Sequence, residues 1–228
     1  MKTVTLRKAL MVSAAICGLA LSLSNAVRAD VTSYGPINNG MWYQFWRTSD
    51  NGVSFNQNYN GNYSVSWNRA VTDFTCGVGW ATGDWRQVGY NCGAFSMNGF
   101  GSFGLYGWFT SPPGSGQPDT EYYIIEMSAG NHSSGTYYGS INADGGTYDI
   151  YHNYNPNNHG ISGAPLEQWI SVRRGNNSVG QNHTISTWIH YNAWASLGWR
   201  RGNWNSQVLG VEGGFGGSGY VNATAWWN

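Results

Sequence analysis

Glu121 and Glu212 are the two residues best placed in this sequence to do chemistry. Glu121 lies within Thr120-Glu121-Tyr122-Tyr123-Ile124-Ile125-Glu126, and Glu212 within Gln207-Val208-Leu209-Gly210-Val211-Glu212-Gly213. Both runs read as strands. Alternation puts Glu121, Tyr123 and Ile125 on one face of the first and Tyr122, Ile124 and Glu126 on the other. A carboxylate in such a run is either a solvated outward residue or a functional one in a cleft. The chain has four glutamates, at 121, 126, 167 and 212, so a second one in the same setting shifts the balance toward function. Two carboxylates facing each other across a groove are the minimum equipment for cleaving a glycosidic bond.

The elements that must position them are short alternating runs separated by Gly and Asn turns: Met41 to Trp46, Val53 to Phe55, Tyr63 to Trp67, Phe74 to Trp80, Arg86 to Tyr90, Phe103 to Trp108, Glu121 to Glu126, Thr136 to Asn142, Thr147 to Tyr151, Leu166 to Arg173, His183 to His190, Gln207 to Glu212 and Tyr220 to Trp227. Strands at this spacing predict an all-β fold, an antiparallel two-sheet sandwich or jelly roll. One short helix is expected over Tyr191 to Gly198, where Gly198 supplies a left-handed stop. No linker rich in Pro, Ser or Thr divides the chain, and no fixed-period repeat is present.

The first 29 residues read as an export signal. Lys2, Arg7 and Lys8 precede the apolar run Ala9 to Leu23, and small residues at Ala26 and Ala29 suit cleavage after Ala29. An anchor is the alternative, but Ser13, Gly18 and Ser22 interrupt the run and no stop-transfer pattern follows. The mature chain is then Asp30 to Asn228, one domain of 199 residues out of 228, secreted and with no membrane contact after cleavage. Four of the eleven basic residues leave with the leader and none of the eleven acids do, so seven stand against eleven and the balance is −4. A nucleic-acid partner is excluded on that count, because phosphate binding needs basic clusters. The aromatics are abundant instead, at 13 Trp, 15 Tyr and 8 Phe. They serve either as β-sheet packing or as a stacking floor for sugar rings, and both uses are expected. Cys17 leaves with the leader. Cys76 and Cys92 are equidistant from position 84, and Ala81 to Arg86 reads as a hairpin turn, which predicts a structural disulfide across neighbouring strands in preference to two free thiols.

At this point the motifs resemble glycoside hydrolase family eleven, the small secreted endo-1,4-β-xylanases with a β-jelly-roll fold and a thumb hairpin over a cleft. The resemblance rests on Asn39-Gly40-Met41-Trp42-Tyr43-Gln44-Phe45-Trp46, Tyr63-Ser64-Val65-Ser66-Trp67, Gly77-Val78-Gly79-Trp80, Tyr106-Gly107-Trp108, Glu121-Tyr122-Tyr123, Asp144 to Tyr151, Ser171-Val172-Arg173, Asn192-Ala193-Trp194-Ala195 and Val211-Glu212-Gly213, in the family's order. It implies a retaining mechanism with Glu121 as nucleophile and Glu212 as general acid/base. It also implies that Tyr106 and Tyr123 flank the nucleophile, Trp46 stacks on a sugar, and Gln168 reaches in below the thumb. Asp73 falls at the family position beside the acid/base, where a shared proton would place the activity optimum on the acidic side, below about pH 6. The implied partner is xylan or a related β-1,4-linked polysaccharide, met by a monomer without cofactor or metal.

Departures from the family pattern bear on substrate fit. The Pro-Ser-Ile thumb tip is His159-Gly160-Ile161 here, with only Ile161 retained, and Gly160 predicts a tip with more backbone freedom. Asn155 or Pro156 stands in place of an arginine near the nucleophile, Ser206 in place of a tyrosine, and about six residues are inserted around Ser111 to Gly116. The resemblance implies a buried His190 bonded to Ser171, while His132, His152, His159 and His183 have no metal-ligand spacing. Two rival readings remain beside the xylanase: a non-catalytic carbohydrate-binding relative, and a hydrolase of another polysaccharide.

Overall fold

A computed structural model of the chain describes residues 31–37, 40–48, 52–70, 73–130, 132 and 135–227. The expected export signal lies outside the described residues.

The described elements are β1 (Val31–Pro36), β2 (Trp42–Arg47), β3 (Val53–Gln57), β4 (Asn62–Ala70), β5 (Phe74–Trp80), β6 (Gln87–Asn98), β7 (Gly101–Thr110), β8 (Asp119–Ala129), β9 (Thr136–Ala143), β10 (Gly146–His159), β11 (Pro165–Arg173), β12 (Asn182–Ser186), α1 (Thr187–Ser196), β13 (Asn203–Gly213) and β14 (Gly217–Trp227). They form a nine-stranded sheet in the order β1-β2-β5-β13-β7-β8-β11-β10-β9 and a five-stranded sheet in the order β12-β6-β14-β4-β3. The two pack face to face as the expected sandwich. Tyr63, Val65 and Tyr90 from the small sheet meet Phe74, Phe103, Tyr122, Ile124 and Leu209 from the large one in a single buried cluster. Aromatics of this size each remove roughly 150–250 Å² from water, on the order of 4–6 kcal/mol of gross transfer free energy. Many of the aromatic residues are therefore core, as the packing reading expected.

Among the described residues all pairings are antiparallel except β8 with β11, which run parallel. The chain leaves β8, turns back through β9 and β10, and returns in β11 beside the strand it left. That return sets Gln168 directly beside Glu121 in the ladder.

Two expectations need correcting. The run His183 to His190 does not continue as a strand, because β12 ends at Ser186 and the helix begins at Thr187. The Asp144 carboxylate accepts both the Ser186 N–H and its hydroxyl at 2.7 Å, and Thr187 donates its N–H and its hydroxyl to the Arg86 carbonyl. The chain turns there, and Thr187, His190, Tyr191 and Trp194 bury one helical face. The second correction concerns the cysteines. Ala81 to Arg86 is not a hairpin turn within one sheet: it carries the chain from β5 in the large sheet to β6 in the small one. Cys76 and Cys92 are buried as free thiols, and the Cys92 Sγ–H donates to the Ala94 carbonyl. Symmetric sequence spacing identifies a turn but not which sheet the next strand joins.

Candidate active site

The site lies on the face of the large sheet that points away from the sandwich core. Across β2, β5, β13 and β7, the ladder aligns Trp46, Thr75, Glu212 and Ser102 in one row, and Gln44, Gly77, Gly210 and Gly104 in the adjacent row. A Cβ at Gly77 would collide with the Leu209 carbonyl oxygen, and one at Gly104 with the Ile124 carbonyl oxygen. Only glycine permits so close an approach of neighbouring strands, and its lack of a side chain leaves the row bare. A cavity opens there, bordered by Glu212, Thr75, Ser102, Tyr106 and Tyr123.

Glu121 sits on β8 with Trp108 of β7 on one side and Gln168 of β11 on the other. Its side chain is fully buried. Tyr106 and Tyr123 donate their hydroxyls to Oε1 at 3.0 and 2.9 Å, and the Gln168 amide donates to Oε2 at 2.7 Å. Two neighbours orient these donors: Trp108 Nε1–H bonds the Tyr106 hydroxyl, and Asn153 donates to Gln168 Oε1 at 3.2 Å. Burial pushes the Glu121 carboxyl above its ordinary range, and the three donors pull it back down by stabilising the ionised form. All three are neutral, consistent with the family arginine being absent at Asn155 and Pro156.

Glu212 is 5% exposed, and among the described residues its Oε2 has no hydrogen-bond partner. Burial, then the charges of Asp73 and Glu121, holds its carboxyl well above the ordinary range. Asp73 is likewise 5% exposed, and among the described residues neither of its carboxylate oxygens has a hydrogen-bond partner. Its carboxyl is raised by burial first and by Glu121 second. Burial and neighbouring carboxyl charge thus raise Glu212 and Asp73 together, while Glu121 is the carboxyl that three hydrogen-bond donors reach.

The remaining expected residues are distributed as follows. Trp46 lies in the same row as Glu212 but is only 3% exposed. Ile161 packs on the cleft-side cluster of Tyr106, Trp108, Tyr123, Leu166 and Val208. Ser206 donates to Gln44 Oε1 at 2.8 Å. His190 is buried, but among the described residues neither ring nitrogen has a partner, and Ser171 instead accepts the Trp194 indole N–H at 3.1 Å. Burial depresses His190 to about 3, so the ring is neutral. Gly160 is not freer than a serine would be in its place. It is buried, and a Cβ there would collide with the Asp119 side chain.

Sequence reading missed three residues here. Trp108 and Asn153 each support a donor to Glu121, and Asp119 anchors the thumb. Alternation from Glu121 places Asp119 on the same strand face once the strand starts two residues before Glu121, at Asp119.

Two carboxyls in different environments, one held by three donors and one raised by burial and neighbouring charge, are a pairing suited to glycosidic bond cleavage. The comparisons with known proteins agree on that class. Residues 38–224 match the family described as glycosyl hydrolases family 11, and the chain belongs to that family. It is 39% identical over 204 residues to the ethylene-inducing xylanase of Penicillium digitatum, covering 88% of this chain and 89% of that one. It is 37% identical over 204 residues to endo-1,4-β-xylanase 2 of Rhizopus oryzae, with the same coverage. A solved endo-1,4-β-xylanase structure from Trichoderma reesei superposes with a TM-score of 0.68 at 38% identity, covering 78% of this chain and 94% of that one.

Proposed function

We propose that the protein is a secreted, monomeric endo-1,4-β-xylanase that hydrolyses internal β-1,4 bonds of xylan with net retention. Glu121 attacks the anomeric carbon while Glu212 gives its proton to the departing glycosidic oxygen, leaving a glycosyl ester on Glu121. Glu212, now ionised, takes a proton from water as that water attacks the same carbon and frees Glu121. Tyr106, Tyr123 and Gln168 orient the nucleophile, Trp46 stacks on a sugar, and Ile161 touches substrate from the thumb. Asp73 shares a proton with Glu212, which sets the optimum on the acidic side.

The observation that carries this reading is the asymmetry of the two glutamates: three neutral donors converge on Glu121, and none among the described residues reaches Glu212 Oε2. A carbohydrate-binding relative would need neither a buried carboxylate nor a buried proton. The experiment is release of reducing ends by the mature protein from xylan and, separately, from β-1,4-glucan, repeated with Glu121→Ala on xylan and, with azide added, on an aryl xyloside, where the released phenol is read because azide leaves a glycosyl azide and no reducing end. The reading expects turnover of xylan, loss in the variant, and partial return with azide, a small nucleophile that fits the space vacated. Turnover of glucan alone would assign another polysaccharide, and no turnover of either would favour the binding relative.

A further inference from the structure

The residue that ties the thumb to the catalytic strand is Asp119, and nothing in the family pattern assigns it a role. It is fully buried at the start of β8, two residues before Glu121 and on the same face of the strand. Its carboxylate accepts three short bonds. The Ser111 N–H reaches Oδ1 at 2.6 Å, the Ser162 hydroxyl reaches Oδ1 at 2.6 Å, and the Ser162 N–H reaches Oδ2 at 2.6 Å. Ser162 belongs to the turn joining β10 to β11, which is the thumb tip, and Ser111 opens the inserted loop between β7 and β8. One buried carboxylate therefore joins three segments.

The surrounding geometry is built for this contact. The turn is closed by the Gly160 N–H to the Ala164 carbonyl at 2.9 Å and the Gly163 N–H to the Gly160 carbonyl at 3.1 Å. Gly160 lies against Asp119, where any side chain would collide with it. The inserted loop folds on itself through the Ser115 N–H to the Pro112 carbonyl at 3.0 Å and a Ser111–Ser115 hydroxyl contact at 3.1 Å. Ile161, between Gly160 and Ser162, is thereby set against the cleft-side cluster that includes Tyr106 and Tyr123.

We propose that Asp119 is a positioning residue that holds the thumb in its substrate-ready place before substrate arrives, so that this protein binds polysaccharide in a preset cleft instead of closing a mobile lid. The proposal rests on reading the cleft as a polysaccharide site. Because no ordering remains to be done on binding, loss of the pin acts on binding of long chains and leaves the bond-breaking groups in place. Hydrogen bonds to a buried carboxylate are stronger than neutral ones, so removing them is a large perturbation.

The test uses the full mature protein with Asp119→Asn and, as a milder variant, Ser162→Ala, which deletes one of the three bonds without stranding a buried charge. Hydrogen exchange of residues 156–164 is followed without substrate, and KM and kcat are measured on xylan polymer and on a short activated aryl xyloside. The expected result is faster exchange confined to the thumb and the inserted loop. KM for polymer should rise about tenfold or more in Asp119→Asn and by a smaller factor in Ser162→Ala, with kcat on the short substrate unchanged within about threefold. Unchanged exchange in the thumb overturns the proposal, as does a kcat loss on the short substrate equal to the loss on polymer. An inactive parent protein would overturn the xylanase reading alone, and the exchange measurement would still decide the role of Asp119.

Discussion

Replacing Glu126 with glutamine should flatten the pH dependence of stability on the acid side of neutrality. Glu126 is fully buried on β8 and bridges the two sheets. Tyr148 of β10 donates to Oε1 at 2.6 Å, while Tyr90 of β6 and Asn177 donate to Oε2 at 2.9 and 2.6 Å. Burial nonetheless dominates, and with a small contribution from Asp144 it outweighs these donors and Arg173, lifting the carboxyl from 4.5 to about 7. The folded state therefore holds a proton that the unfolded state releases between these values. Stability associated with this group is fully present below about 4.5 and is lost as pH rises through about 7. That gap corresponds to about 3 kcal/mol, or roughly 6–12 °C in Tm for a chain of this size. The assay is urea or thermal unfolding of parent and Glu126→Gln from pH 4 to pH 8. Glutamine also turns an amide toward the Asn177 amide, which lowers stability by about 1 kcal/mol at every pH. The readout is the difference in slope, which isolates Glu126 from the other raised carboxyls. Equal slopes in the two proteins between pH 4.5 and 7 would refute the reasoning.

Other expected outcomes follow from the same geometry. Gln168→Ala removes a donor that favours ionised Glu121, so the Glu121 carboxyl rises and the acid limb of kcat/KM should move up by about one to two pH units, since a bond to a charged group is worth about 1.5–3 kcal/mol; an unmoved limb in the pH–rate profile would contradict the bond's role. Glu212→Ala should slow xylan cleavage severely yet spare the first step on aryl xylosides with good leaving groups, which burst kinetics would reveal. Cys76 is raised well above its ordinary range by burial and Cys92 to about 11, so neither thiol should react with a disulfide reagent near pH 8 until the protein unfolds. Addition of reductant should leave Tm unchanged, and a fall in Tm would restore the disulfide.

The legible parts of this protein were those carried by local pattern. Alternation located nearly every strand and put Glu121 and Tyr123 on one face, where both now meet. What was lost depends on which sheet a strand joins and what packs above it. The spacing of Cys76 and Cys92 suggests a pair because a turn between sheets and a turn within a sheet use the same residues. His183 to His190 alternates well enough to pass for a strand, and only the anchors from Asp144 and Arg86 bend it into a helix. Gly160 was read by its intrinsic freedom, which the neighbouring Asp119 removes entirely. The parallel contact of β8 with β11, which delivers Gln168 to Glu121, is a property of topology and leaves no mark in either strand's sequence.

The central claim is double displacement at Glu121 with Glu212 as acid and then base, and the anomeric configuration of the first product tests it most directly. Proton NMR of xylan oligomers during the first minutes of cleavage, before mutarotation, should show the new reducing end appearing as the β-anomer. Initial appearance of the α-anomer would mean a single displacement by water and would contradict the assignment of Glu121 as nucleophile.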